Sequence, residues 1–192
     1  MPKSYSPEST HIKPTKINKE TLAAIGRLIR AFAEIEDLLT LHICNLTSVP
    51  EGRIIVLLGR TAMSKRLEIA EYFAKTAGAN ALAAHKNVFN RTFQDALGCR
   101  NAVAHGTLLG RTQHKELAFL TAKTEVPTGT ATLLVVESYL PKNIIAYAKM
   151  AELAVPLIEK NLMLQALRQA RLRKPLSPHP KGLRQQSGKQ KQ

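Results

Sequence analysis

The sequence predicts an all-helical bundle with a short β-hairpin insertion before its last helix. Two observations carry this prediction: apolar residues recur every three or four positions over long stretches, and β-prone runs flank a turn-forming segment in residues 117–139. A hydrophobic content of 44% over 192 residues is enough for one domain with a core. We therefore expect a flexible N-terminal arm over residues 1–18, a helical domain over residues 19–174 and a disordered basic tail over residues 175–192.

The first predicted helix begins after Asn18, a residue type that caps helices with its side chain. Apolar residues then recur at spacings of three and four as far as Leu46, and Pro50 follows the end of the pattern. Glu36 and Asp37 lie on this helix but point in different directions around it, so a solvated face is favoured over a metal site. A helix that faces the core or a dimer partner is the expected outcome.

Three further helices are expected before residue 106. Residues 50–58 predict a short apolar helix with Pro50 in its first turn. Thr61 or Ser64 is expected to cap the next helix, which stops at Gly78. Asn80 is expected to cap one continuous helix that runs to residue 105.

A group of cations lies at the start of the second of these helices. It consists of Arg60, Lys65 and Arg66. Cations clustered at the start of a helix can line an RNA cleft and contact its phosphates, so these three residues are candidate substrate-binding residues. A charged, solvated surface is the alternative interpretation.

The last third of the domain predicts a hairpin and a closing helix. Residues 117–121 and 132–139 are β-prone runs, and the segment between them contains Pro127 and Gly129, typical of a loose loop. Apolar residues from Ile144 to Leu162 then repeat at helical spacing, with Pro156 predicting a kink.

The segment that carries most of the chemistry is residues 100–106, with the sequence RNAVAHG. Arg100 can hold a phosphate through two parallel hydrogen bonds, and His105 can move a proton on or off a ribose 2′-hydroxyl near neutral pH. The amide of Asn101 can orient either partner. The alternative is a polar helix terminus in which Gly106 supplies a left-handed stop.

The helix period constrains how these groups can meet. Asn101 and His105 fall on one face, whereas Arg100 and His105 lie roughly 140° apart on an ideal helix. Arg100 and His105 of one chain converge only if the helix unwinds near Gly106. Otherwise a cleft between two chains could bring the Arg of one copy to the His of the other.

The Arg-Asn-x-x-x-His-Gly pattern at a helix end, in a small basic helical protein, resembles the signature of the HEPN superfamily. The resemblance extends over the order of elements in about residues 21–170. It implies a helical bundle that dimerises and a metal-independent endoribonuclease with Arg100, Asn101 and His105 as catalytic residues. Many such enzymes are toxins or defence effectors. The resemblance further implies RNA as substrate, 2′,3′-cyclic phosphate ends at a composite dimer site, and an antitoxin or regulatory protein as a candidate partner.

The charge of the chain is concentrated in its C-terminal part. The net charge is +14, of which residues 161–192 contribute +8 because they contain eight Lys or Arg and no acid. Such a tail favours RNA through phosphate contacts, or it is a solubilising disordered end; the two interpretations are equally supported. Membrane-surface binding is disfavoured because the tail lacks an apolar helical face.

Composition and motif spacing exclude several classes. No apolar run reaches about 18 residues and no apolar stretch follows Met1, so no membrane span or secretory signal is expected and cytoplasmic residence is the default. Cys44 and Cys99 are expected to be reduced and buried. None of the six histidines has a partner at metal-ligand spacing, and no glycine-rich phosphate loop is present, so no metal and no cofactor are expected.

Two rival functions remain from the sequence. The first is a catalytically inactive module that binds RNA or a protein, since a fold does not determine activity. The second, DNA binding by a helix-turn-helix, is weaker because no recognition helix follows Gly106 at a short turn.

Overall fold

A computed structural model describes residues 3–5, 11–59, 61–124 and 132–172, with side chains described for residues 11–59, 61–122 and 134–161. The described residues form α1 (Lys19–Thr47), α2 (Glu51–Leu58), α3 (Met63–Thr76), α4 (Ala79–Val88), α5 (Arg91–His105) and α6 (Pro141–Leu172). They also form the strands β1 (Lys3–Tyr5), β2 (Ile12–Lys13), β3 (Thr107–Thr112), β4 (Leu117–Thr124) and β5 (Thr132–Tyr139). The predicted tail, residues 175–192, lies outside the described residues.

The first helix matches the prediction. Asn18 is its N-cap, and Oδ1 of Asn18 accepts a hydrogen bond of 2.8 Å from the backbone N–H of Thr21. The helix ends at Thr47, where Ser48 has a left-handed φ of 57°, and α2 follows with Pro50 as its N-cap. The predicted caps of α3 are wrong, because Ala62 occupies the N-cap position without a side-chain hydrogen bond.

The prediction of one continuous third helix is wrong. The chain forms α4 and α5 instead, separated at Phe89 and Asn90. The side chain of Asn90 accepts a hydrogen bond of 3.1 Å from the backbone N–H of Phe93. This local bond competes with helix continuation, so Asn90 starts a new helix that carries residues 91–105 as one rigid unit.

The described strands form one antiparallel sheet in the order β1-β5-β4-β3-β2. The two β-prone runs do pair, as β4 and β5, but the prediction of a single hairpin in an all-helical protein is wrong. β3 follows α5 directly and pairs with β4, and two short strands from residues 1–18 pair with the two edges. The protein is therefore mostly helical with an antiparallel sheet.

Close backbone approach explains why β2 can join the sheet at β3. Gly110 has a φ of 144°, and a Cβ atom there would overlap the backbone carbonyl of Lys13. Only glycine combines this φ with the required space. The pairing of β3 with β4 is irregular at this point, because its register shifts between Leu108 and Gly110.

The core lies between α1, α3, α5 and α6. α1 packs most extensively on α6, and Phe32 of α1 contacts Phe93 of α5 with 5.2 Å between ring centroids. Fully buried residues on α1 include Leu28, Ile35 and Leu39, which belong to the predicted apolar face. None of the helices in the described part of the chain combines the length and apolar character needed to cross a bilayer.

Candidate functional site

The motif residues lie in the last two turns of α5, at its junction with the sheet. Arg100, Asn101 and His105 all line one cleft of about 620 Å³. α5 remains helical through His105, so no unwinding brings the motif side chains to a common site. The cleft instead extends around the end of the helix, with α1 and α3 on one side and β4 and β5 on the other.

Arg100 is the most enclosed of the motif side chains. Its side chain is 16% exposed, whereas Asn101 and His105 are exposed at the mouth of the cleft. Nη1 of Arg100 donates a hydrogen bond of 3.0 Å to Oδ1 of Asn101, which holds the guanidinium against the helix. The Nε atom of Arg100 is buried without a hydrogen-bond partner among the described residues.

A carboxylate from α1 lies between two arginines of the cleft. Oε2 of Glu36 is 3.9 Å from Nη2 of Arg100, and Oε1 of Glu36 is 3.9 Å from Nε of Arg66. The sequence interpretation of Glu36 as part of a solvated face is wrong, because its side chain is only 25% exposed. The available signal was its spacing, four residues after Phe32 and three before Leu39, which places Glu36 along the apolar face of α1.

Arg66 lines the cleft but is already strongly engaged by the protein. Every nitrogen of its guanidinium donates a hydrogen bond: Nε to the Thr61 carbonyl at 3.0 Å, Nη1 to Oγ1 of Thr40 at 3.2 Å and Nη2 to the Gly59 carbonyl at 3.0 Å. These bonds tie the connection between α2 and α3 to α1. Arg66 therefore helps to build the wall of the cleft.

Of the other two candidate substrate-binding cations, Lys65 is not brought to this cleft. Lys65 donates a 2.7 Å hydrogen bond to Oε2 of Glu68 on the exposed side of α3, and it is absent from the described residues that line the cleft. Arg60 lies outside the described residues.

The sheet contributes a second carboxylate that the sequence reasoning missed. Glu137 of β5 and Thr121 of β4 line the cleft, and Oγ1 of Thr121 donates to Oε2 of Glu137 at 3.2 Å. The signal was a lone acid in an otherwise apolar β-prone run.

Burial raises the pKa of the Cys99 thiol to about 12, with a smaller contribution from the charge of Glu137. Burial, followed by the same charge, raises the pKa of Tyr139 well above its usual range.

The formal charges of the cleft nearly cancel. Among the described lining residues, Arg66 and Arg100 oppose Glu36 and Glu137, and His105 is the remaining titratable group. The cleft thus combines two groups. One is the enclosed guanidinium of Arg100, whose Nε atom has no hydrogen-bond partner among the described residues, and the other is the exposed imidazole of His105. It is not a broad basic surface of the kind that binds nucleic acid through counterion release alone.

Gly106 fixes how the end of α5 meets the sheet. The expected left-handed conformation is wrong, since Gly106 is extended with φ −83° and ψ 155°. A Cβ atom at this position would overlap the Ala102 carbonyl and approach Cγ2 of Thr121 to 3.0 Å. Glycine is therefore required here, because the Ala102 carbonyl of α5 and, at a longer distance, Thr121 of β4 leave no room for a Cβ atom. The approach of β4 places Thr121 beside the motif.

Within the described residues, no three His, Cys, Asp or Glu side chains are grouped so that they could hold a metal ion. Cys44 and Cys99 are free thiols, half-buried and buried respectively. Comparison with protein-family models, curated proteins and solved structures finds no match for this chain.

Proposed function

We propose that this chain is a HEPN-like, metal-independent endoribonuclease that cleaves RNA in the cleft at the end of α5. The observation that carries the proposal is that Arg100, Asn101 and His105 line one cleft, with Arg100 enclosed and His105 exposed at its mouth. This is the combination that phosphoryl transfer needs: a fixed charge for the phosphate beside a group that moves a proton near neutral pH.

In the proposed reaction, His105 accepts the proton of a ribose 2′-hydroxyl and the 2′-oxygen attacks the adjacent phosphorus. The bond from phosphorus to the 5′-oxygen of the next nucleotide breaks, and that oxygen takes a proton from water or from an imidazolium. Arg100 stabilises the charge that develops on the non-bridging oxygens, and Asn101 holds Arg100 in place. The products carry a 2′,3′-cyclic phosphate and a 5′-hydroxyl.

The proposal includes a homodimer, as the resemblance implies. One chain already lines a single cleft with all three motif residues, so a partner is not required to supply a missing one. A second copy would act by closing the open side of the cleft or by adding its own Arg100 to the same phosphate. The proposed biological role, a cytoplasmic toxin or stress effector held by a neutralising protein, rests on the resemblance alone.

A catalytically inactive RNA- or protein-binding module is the second candidate. The observation in its favour is the charge balance of the cleft, because Glu36 lies within 3.9 Å of the guanidinium that the phosphate would need. A cleft that holds its own counter-ion can bind a partner without performing chemistry.

The deciding experiment incubates the full chain with total RNA in excess chelator. We expect cleavage by the wild-type protein and a loss of about a hundred- to ten-thousand-fold with His105→Ala. His114→Ala is the matched control, since His114 is exposed on the turn between β3 and β4 and does not line the cleft among the described residues. Mass spectrometry of the 3′ ends should show cyclic phosphate.

Equal cleavage by wild-type and His105→Ala proteins of matched purity would make the catalytic assignment wrong. If neither protein cuts any RNA offered while both bind it, the inactive binding module is the better description.

A further inference from the structure

The closing helix α6 has two apolar faces. One face, with Ile144, Ala148, Ala151 and Ile158, is buried in the core. The second follows Met150, Leu153 and Leu157, which are spaced by three and four residues on a different side of the helix. Leu153 is 68% exposed and Leu157 is 58% exposed. A helix with a core face needs no second apolar stripe for folding, so this stripe requires another explanation.

The second stripe forms one wall of a groove of about 700 Å³. Val88 at the end of α4 and Asn90 and Thr92 at the start of α5 contribute the opposite wall. The lining extends along α6 from Ala146 to Asn161. At 1.5 Å per residue this is about 22 Å, or four helical turns. The groove therefore has the length and apolar spacing that accept one α-helix of a partner.

The charges around the groove are positive. Lys149 is the one charged residue that lines it within the described part of the chain. Exposed Arg91 and Lys160 are direct sequence neighbours of the lining residues Asn90 and Asn161. Lys86 lines a different pocket, together with Glu71 of α3.

The acids of α6 do not neutralise this surface. Glu152 is engaged on the α1 side of the helix, 3.6 Å from Nη1 of Arg27 and 3.7 Å from Nη2 of Arg30. Glu159 follows Leu157 by two residues and so points about 200° away from it around the helix. The groove is therefore apolar along its length and cationic at its margins.

We infer that the groove binds an amphipathic α-helix of another protein whose apolar face is flanked by Asp or Glu. Leucine-type residues of that helix would cover Leu153 and Leu157, and its acids would meet Lys149, Arg91 and Lys160. A second copy of this chain is disfavoured at this groove, because a symmetric contact would place the cations at its margins against the same cations of the other copy. RNA is disfavoured because the described lining offers a leucine stripe where RNA would need stacking aromatics or a cation track.

The groove is separate from the motif cleft. It lies at the first residues of α5 and the cleft lies at the last ones, and the helix has 15 residues. At 1.5 Å per residue, the nearest lining residues of the two sites on α5, Thr92 and Arg100, are about 12 Å apart along the helix. A bound helix therefore leaves the cleft open, and this inference holds whether or not the cleft cleaves RNA.

The test uses the full chain and two synthetic 18-residue helical peptides. Both peptides carry Leu along one stripe, and the flanking positions carry Glu in one peptide and Lys in the other. Fluorescence anisotropy should show the Glu peptide binding at least tenfold more tightly than the Lys peptide.

Variants locate the binding site. Leu153→Glu combined with Leu157→Glu should lower the affinity of the chain for the Glu peptide at least tenfold. Leu22→Glu combined with Val56→Glu is the matched control, because these residues are exposed on α1 and α2 and the change in net charge is the same. Lys149→Glu should reduce the ratio of the dissociation constants of the Lys and Glu peptides. Unfolding curves should show that all variants fold.

Two results would overturn the inference. One is equal binding of the Glu peptide to the wild-type chain and to the Leu153→Glu, Leu157→Glu variant. The other is a wild-type dimer in sedimentation that this variant converts to a monomer, since a second copy would then occupy the groove.

Discussion

Glu36 and Arg100 belong to helices separated by more than forty residues of sequence, yet Oε2 of Glu36 lies 3.9 Å from Nη2 of Arg100. The other oxygen of Glu36 faces Arg66 at the same distance. Two half-buried arginines that would otherwise repel each other therefore share one carboxylate. This arrangement fixes the guanidinium that the proposed reaction needs, and it lowers the positive charge that RNA would meet.

Neutralising this carboxylate should separate RNA binding from cleavage. Glu36→Gln keeps the side-chain volume but removes the charge shared by the two arginines. We expect up to about tenfold tighter RNA binding, equivalent to about 1.4 kcal/mol, together with a lower cleavage rate because Arg100 loses its orientation. Binding and single-turnover cleavage of one labelled RNA would measure both. The control is Glu34→Gln, which alters an exposed pair with Arg30; indistinguishable effects of the two variants would contradict the prediction.

Arg66 should matter more for stability than for phosphate binding. Arg66→Lys retains the charge but cannot reproduce three hydrogen bonds to Thr61, Thr40 and Gly59. We expect the free energy of unfolding in urea to fall by about 1–3 kcal/mol. Lys65→Ala, which removes an exposed pair with Glu68, should change it by less than about 1 kcal/mol. Full stability with weakened RNA binding for Arg66→Lys would instead identify Arg66 as a substrate ligand.

The close contact at Gly106 predicts a costly alanine substitution. In Gly106→Ala the new methyl group would overlap the Ala102 carbonyl and crowd Thr121 of β4, so the end of α5 and its junction with β4 must shift. Overpacking of this kind typically costs about 1–3 kcal/mol, and any cleavage activity should fall because His105 is the preceding residue. Gly26→Ala is the control, since a Cβ atom there meets nothing within 4 Å and alanine favours the helix. Equal thermal stability of the two variants would refute the packing argument.

Protonation of His85 should destabilise the fold in mildly acidic solution. His85 is buried, and its ring stacks on that of His42 with 6.1 Å between centroids. Burial lowers the pKa of His85; the charge of Glu71 raises it in part, and Lys86 lowers it further. The unfolded chain therefore binds the proton more readily than the folded chain.

The stability contributed by neutral His85 is present above the unfolded pKa of about 6.5 and is lost as pH falls through the lower folded pKa. We expect the unfolding midpoint to drop between pH 7.5 and pH 5.5. His85→Gln should reduce this dependence, whereas His11→Gln, at an exposed position, should not. If the unfolding midpoint of His85→Gln depends on pH as strongly as that of the wild type, another group causes the dependence.

The basic C-terminal segment should add general RNA affinity without affecting the cleft. Residues 175–192 contribute four Lys or Arg and no acid. Deleting them should weaken RNA binding and flatten its salt dependence, by about one unit of slope for each phosphate that these cations neutralise in the full chain. Filter binding over a series of salt concentrations would measure this. An unchanged slope would mean that these cations do not bind phosphate.

The sequence determined the local elements of this protein and the position of its motif. Apolar spacing and the Asn18 cap predicted α1, because both act within one or two helical turns. The place of Arg100, Asn101 and His105 at a helix end also followed from local pattern. The break at Asn90 was missed because the apolar spacing continues across it, and only the bond from Phe93 N–H to the Asn90 side chain ends the pattern.

The tertiary structure decided how these pieces form a cleft. Glu36 and Arg66 reach the motif only because α1 and α3 pack beside α5, and Thr121 and Glu137 reach it only because the sheet meets the end of α5 at Gly106. On an ideal helix Arg100 and His105 point apart, and they line one cleft because neighbouring elements enclose the whole helix terminus. Helix periodicity is a property of adjacent residues, whereas a cleft is made by packing between residues distant in sequence, which no local pattern encodes.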